Sequence, residues 1–248
     1  MLTLATRSYF SNVLLIGAAR FARVSGQQEA SYDGEFADPL VSEHRANVLA
    51  AITFAAAALE ANINELLSDA AEPDGGRLKE LRADERELLA SLWELGIPRT
   101  ARYRILEKYE VALTLLRRPP LDFGQGSAQA ARLVVDLRNQ FVHFEPTWQR
   151  HVPVPQKDAH KLERALNGRF AENRITGAGN PFYPDKLLGY GCAAWAVRVT
   201  TSFLDDFFRV LGCTPPYDSQ RSMLAVDVPS PHNKELEQTA AAPPQLNS

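Results

Sequence analysis

Cysteine is nearly absent from the 248-residue chain. Cys192 and Cys213 are the only two, and they have no metal-ligand spacing. Two cysteines are too few for a disulfide framework, so a reducing compartment, the cytoplasm, is the expected location. Lysine is also scarce, six against 21 arginines, and the formal net charge is −3. Bulk positive charge is therefore missing, which excludes a protein that coats nucleic acid through its overall charge; any RNA contact must come from a local patch. Long apolar runs are missing too. The longest, residues 48–59, falls short of the roughly 20 residues that span a bilayer, so no membrane segment is expected. The stretch before Glu29 carries Arg7, Arg20 and Arg23 and no acid, but Ser11 and Asn12 interrupt its apolar part. It reads as a first helix rather than a targeting peptide.

Strand alternation and internal repeats are also wanting, and what fills the chain is helical period. Phe10, Leu14, Gly17, Phe21 and Val24 mark one face of a first helix ending near Gly26. Turn residues in 31–39 (SYDGEFADP) lead to a long second helix over 40–69, with the stripe Val48, Ile52, Ala55, Leu59, Ile63 and Leu66. Ala55 to Ala58 is small enough for a neighbouring helix to approach closely. After the breakers EPDGG, Leu88, Leu92 and Leu95 mark a short helix that Gly96 and Pro98 stop. A helix over about 99–118 follows, with Tyr103, Leu106, Leu113 and Leu116 inward, ended by Pro119 and Pro120. Another starts near Ser127 as N-cap, with Ala130, Leu133, Leu137, Phe141 and Phe144 as its core face.

Residues 145–155 read as irregular, 157–170 as helical, and 173–184 as a glycine- and proline-rich loop. Its lone Gly-x-Gly follows no strand and is no phosphate loop. The last strong helix covers 185–211, with Leu188, Cys192, Trp195, Val199, Phe203 and Phe207 forming a wide apolar face. Trp195 is read as packing. Residues 213–248 turn to Pro, Ala, Gln and Ser and are expected to be a mostly disordered tail, the disorder falling on 229–248, with a short strand at 223–228 as one option. The expected architecture is an all-α bundle of five to seven helices in one domain, 1–212.

Charge is unevenly spread. Residues 60–95 hold ten acids against four bases, whereas 97–150 hold nine bases (Arg99, Arg102, Arg104, Lys108, Arg117, Arg118, Arg132, Arg138 and Arg150) against five acids. This is either an RNA-facing patch or an arginine-rich solvated surface. At its centre lies LRNQFVHFEP, residues 137–146, which sets Arg138, Asn139 and His143 among apolar neighbours. On an ideal helix Asn139 and His143 share a face with Arg132 and Asp136. Arg138 and His143, by contrast, stand roughly 140° apart. A shared site then needs the reach of the arginine side chain or a distortion before Pro146.

The segment ALEANINELL (58–67), followed some 70 residues later by LRNQFVHF in an all-helical chain, resembles the HEPN superfamily, the higher-eukaryote and prokaryote nucleotide-binding helical domains. That family's pattern is an arginine and a histidine with four to six residues between them, the arginine often followed by a polar residue. Arg138, Asn139 and His143 have this form. Glu60 and Asn64 match the acidic and polar positions often seen on the preceding long helix. The likeness covers mainly 40–146; the Trp195 helix resembles extensions of uncharacterised bacterial members, within a helical extension over 157–212.

The resemblance implies a metal-independent endoribonuclease with Arg138, Asn139 and His143 at its site and Glu60 and Asn64 supporting. It also implies a homodimer, no cofactor, and service as a toxin or phage-defence effector with an antitoxin or defence-system partner. Histidine titrates near pH 6.5 and moves protons at neutral pH. Arginine's planar fork holds phosphate oxygens. Two alternatives stand beside this reading. Arg138 is a structural cation paired with Glu60 between packed helices, or the chain is a non-catalytic HEPN-like module that binds nucleotides or a partner protein. His44, His151, His160 and His232 lack ligand spacing. His160 and Glu163 would share a helix face, but two groups make no metal site, so no metal is expected.

Overall fold

The computed structural model describes residues 6–35, 38–96, 103–146, 160–177 and 179–228. Among them the chain forms seven α-helices and no strand: α1 (Ser11–Ala30), α2 (Asp38–Ala70), α3 (Ala83–Glu94), α4 (Ile105–Leu115), α5 (Gly126–Val142), α6 (Lys161–Leu166) and α7 (Tyr190–Leu211). The all-α expectation holds. The expected starts of the fourth helix and of the 157–170 helix, the irregular segment from 147, and the tail beyond 228 lie outside the described residues.

α2 is the axis of the bundle, and α1, α3, α4, α5 and α7 all pack against it. At 1.5 Å per residue its 33 residues run about 50 Å. By length and composition it is long and apolar enough to cross a membrane, but half of its most apolar window is buried inside the protein. The stripe Val48, Ile52, Ala55, Leu59, Ile63 and Leu66 faces inward as its period requires. The small residues Ala55 and Ala56 share a core cluster with Ala18, Ala19 and Ala22 of α1, all fully buried, and this permits close approach of the two helices. Gly17 belongs to the same seam, since a Cβ there would lie 2.8 Å from the Phe54 ring.

Tertiary contacts set several helix ends. The Glu65 carboxylate on α2 accepts from the backbone N–H of Phe10 and Ser11 and from the Ser11 hydroxyl, which caps α1 from a neighbouring helix. α1 continues past Gly26 to Ala30. Gly26 is not a stop: the space of its missing Cβ is filled by Val228 and the Tyr190 ring, so that glycine serves packing. The buried Glu29 lies 3.1 Å from the buried His44 ring and accepts from the Tyr190 N–H, which ties the start of α7 to α1 and α2. Gly212, at φ +83°, closes α7.

Other expectations are corrected. Gln125, not Ser127, occupies the N-cap of α5; the Ser127 hydroxyl donates to Asp206 of α7 at 2.5 Å, so a partner helix claims it. Leu137 is buried, but Phe144 lies beyond the end of α5 and is 48% exposed. Within the expected tail, residues 213–228 are folded, and 229–248 lie outside the described residues. Tyr217, Leu224 and Val226 are buried, and Arg23 of α1 donates to the carbonyls of Met223 and Ala225. The expected strand at 223–228 is replaced by a 3₁₀ turn, Asp218–Leu224, and an extended return. A lone strand has no partner in an all-helical body, so its backbone groups pair with side chains instead.

Candidate functional site

α2, α4 and α5 enclose a cleft of about 1090 Å³. The helical period of α5 dictates which of its residues reach it: Arg132, Asp136, Asn139 and His143, one turn apart each, line it together with Arg138. α5 ends at Val142, and His143 leaves the helix with φ −108° and ψ 40°. The helix end and the arginine's reach thus bring Arg138 and His143 to one cleft despite their ideal-helix separation.

The arginine is held from two sides. Arg138 Nη2 lies 3.3 Å from Glu60 Oε2 on α2, and Arg138 Nη1 donates to Asn139 Oδ1 at 3.0 Å. Asn139 therefore orients the guanidinium. The contact of Asn139 with His143 is through the backbone, where His143 N–H donates to the Asn139 carbonyl at 3.0 Å. The His143 side chain is exposed, and among the described residues its ring has no hydrogen-bond partner.

Sequence reasoning missed one member. Lys108 of α4 is only 3% exposed, and its Nζ lies 3.4 Å from Glu60 Oε1 and 3.2 Å from Asn64 Oδ1. The signal was present: Ile105, Lys108, Tyr109 and Ala112 have the spacing of a buried helical stripe, and a lysine on that stripe must find partners. Glu60 and Asn64, one turn apart on α2, are those partners. Glu60 consequently links Lys108 and Arg138, so three helices meet through one carboxylate. A buried ammonium left without its carboxylate costs about 3–5 kcal/mol, whereas a half-exposed pair such as Arg138–Glu60 contributes under about 1 kcal/mol.

Arg104, Lys161, Glu107, Glu110, Tyr103 and Phe123 complete the rim, and the Arg132 guanidinium lies 5.2 Å from the centre of the Phe123 ring. Arg99, Arg102, Arg150 and His151 lie outside the described residues. His160 caps α6 and stacks on Tyr183, ring centres 4.0 Å apart; burial, with help from Lys161, lowers its pKa. Trp195 is buried and packs on Phe170. No group of three or more His, Cys, Asp or Glu side chains converges among the described residues.

Fold and cleft define an all-helical protein with a mixed-charge cleft between its central helix and two others. Comparison of the chain with protein-family models, with curated proteins and with solved structures finds no match.

Proposed function

We propose that this chain is a metal-independent, HEPN-type endoribonuclease acting at the cleft that Arg138 and His143 share. The observation that supports this reading most is that both side chains line one cleft wall, the arginine held by Glu60 and Asn139 and the imidazole exposed, with no hydrogen-bond partner among the described residues. In the proposed reaction His143 takes the proton of a ribose 2′-hydroxyl. The 2′-oxygen forms a bond to the adjacent phosphorus, the bond to the 5′-oxygen breaks, and a cyclic phosphate remains. Arg138 stabilises the negative charge that grows on the phosphate oxygens. The departing 5′-oxygen requires a proton from a second acid, and the His143 of a second copy is the source in a homodimer. Val142 and Phe144, 55% and 48% exposed, border His143 with apolar surface suited to that contact. Cytoplasmic service as a toxin or defence effector, with an antitoxin or defence-system partner, belongs to the same proposal.

One observation favours a second reading. Glu60 and Asn139 already engage the Arg138 guanidinium, as in a structural link between helices, and this suits a non-catalytic module that binds nucleotides or a partner protein. RNA cleavage in EDTA by the wild type, His143→Ala and Arg138→Ala, with thermal melts of all three, separates the two. The enzyme reading expects cleavage by the wild type alone. His143→Ala should melt within about 2 °C of it, since an exposed side chain with no partner changes stability by under about 0.5 kcal/mol. A folded wild type that leaves a broad RNA panel intact, or a His143→Ala variant that cuts as fast, transfers the case to the binding module.

A further inference from the structure

The charges at the cleft floor do not balance. Lys108 and Arg138 place two cations there, and Glu60 is the carboxylate with which each makes its ion pair; no other carboxylate pairs with either among the described residues. One anion between two cations leaves a surplus of one positive charge, and the rest of the lining does not cancel it, since Asp136, Glu107 and Glu110 are matched by Arg104, Arg132 and Lys161. The ammonium of Lys108 has three donors, of which Glu60 and Asn64 engage two. For a side chain so deeply buried, a donor in reserve costs stability unless something in the cleft uses it.

The contacts are also long. Arg138–Glu60 and Lys108–Glu60 stand at 3.3 and 3.4 Å. The pairs that brace the fold are closer, Arg77–Asp69 at 2.8 Å and Arg118–Glu85 at 2.9 Å. Close charged hydrogen bonds lie near 2.7–2.9 Å, so a carboxylate shared between two cations saturates neither. The Glu60 side chain is 40% exposed, with room to withdraw toward solvent. Asn64 and Asn139 offer carbonyl oxygens to the same two cations, so both keep a partner when the carboxylate leaves.

We propose that Lys108 is a second phosphate contact of this cleft and that Glu60 is a displaceable counterion, the carboxylate that an RNA phosphate replaces between Lys108 and Arg138. The inference rests on the reading that RNA enters the cleft, and it assigns a ligand-binding role to a residue outside the Arg-Asn-His motif. A phosphodiester carries one negative charge and two free oxygens, which matches the surplus charge and the two cations. In the free protein Glu60 keeps Arg138 extended toward the cleft and excludes weaker anions, and the phosphate competes with it for both cations.

The test is RNA binding by the full chain carrying His143→Ala, which prevents cleavage, to a fluorescein-labelled single-stranded oligoribonucleotide, by anisotropy between about 50 and 200 mM salt. Lys108→Gln, Lys108→Arg and Glu60→Gln are added singly to that parent, with thermal melts of each. Lys108→Gln should make the slope of log K against log salt shallower by about 0.7, the value of one lost contact to a single strand. Lys108→Arg should restore it. Glu60→Gln should bind several-fold tighter at fixed salt, because the competing charge is gone. A purely structural Lys108 leaves the slope of the folded variant unchanged. If RNA binds but that slope does not move, or Glu60→Gln binds no tighter, the inference fails and the ribonuclease reading stands. If either Lys108→Gln or Glu60→Gln does not fold, the other decides alone. If the parent binds no RNA at any salt, both the inference and the reading fall.

Discussion

Tyr109 offers the sharpest test of how the cleft is built, because it follows Lys108 and fixes α4 against the core. It is fully buried. Its hydroxyl donates to the Leu59 carbonyl of α2 at 2.7 Å, and its ring meets Phe203 and Phe207 of α7 edge-on, at 5.0 and 4.7 Å between centres. Tyr109→Phe removes one hydrogen bond and almost no volume. Leu59 lies in the middle of α2, so its carbonyl keeps its helical partner, and the loss should be about 0.5–1.5 kcal/mol. For a chain of this size about 2–4 °C accompanies each kcal/mol, so Tm should fall by about 1–6 °C. Tyr109→Ala also empties the space between α2, α4 and α7, at a cost of about 3–5 kcal/mol. Urea denaturation followed by circular dichroism, with unchanged slope in both variants, measures the difference. If Tyr109→Phe costs as much as Tyr109→Ala, or Tyr109→Ala costs under about 1 kcal/mol, the described packing of α4 is wrong. Burial also raises the Tyr109 pKa well above its ordinary 10, so this phenol should ionise in alkali only when the fold opens.

Two further predictions concern the rest of the fold. Gly191 opens α7 with its backbone against Ala171, where an added Cβ would stand 2.2 Å from the Ala171 carbonyl oxygen. Gly191→Ala should therefore lower the urea midpoint by the equivalent of about 1–3 kcal/mol. Gly179→Ala, with no atom within 4 Å of its added Cβ, should stay within about 0.5 kcal/mol of wild type, and equal effects would contradict the docking of α7. Burial, reinforced by the neighbouring Glu80 carboxylate, pushes the Cys213 thiol up to about 12, and burial raises Cys192 as well. Below those values both thiols are protonated and unreactive. At pH 8 a chromogenic disulfide reagent should modify neither until denaturant opens the protein; fast labelling of the native chain would overturn that assignment.

The sequence by itself determined the all-helical class and most of the helix bodies, because an apolar stripe repeating every three to four residues states which face of a helix must leave water. Val48 to Leu66 on α2 and Leu188 to Phe207 at α7 are buried, or nearly so, for that reason. It also determined which polar residues share a face of α5, and Arg132, Asp136, Asn139 and His143 line one cleft as their spacing requires. Tertiary structure decided what period cannot express. Gly26 and Ser127 look like a stop and a cap but answer to Val228, Tyr190 and Asp206 on distant segments. Residues 213–228 look like tail by composition, yet α1 supplies donors for their carbonyls and the core takes their apolar side chains. The joining of Lys108 to Arg138 through Glu60 depends on residues 48 and 78 positions from Glu60. Helical period fixes the direction of a side chain within its own helix. Where three helices stand relative to one another, and so which charges meet, is set by how their apolar faces pack.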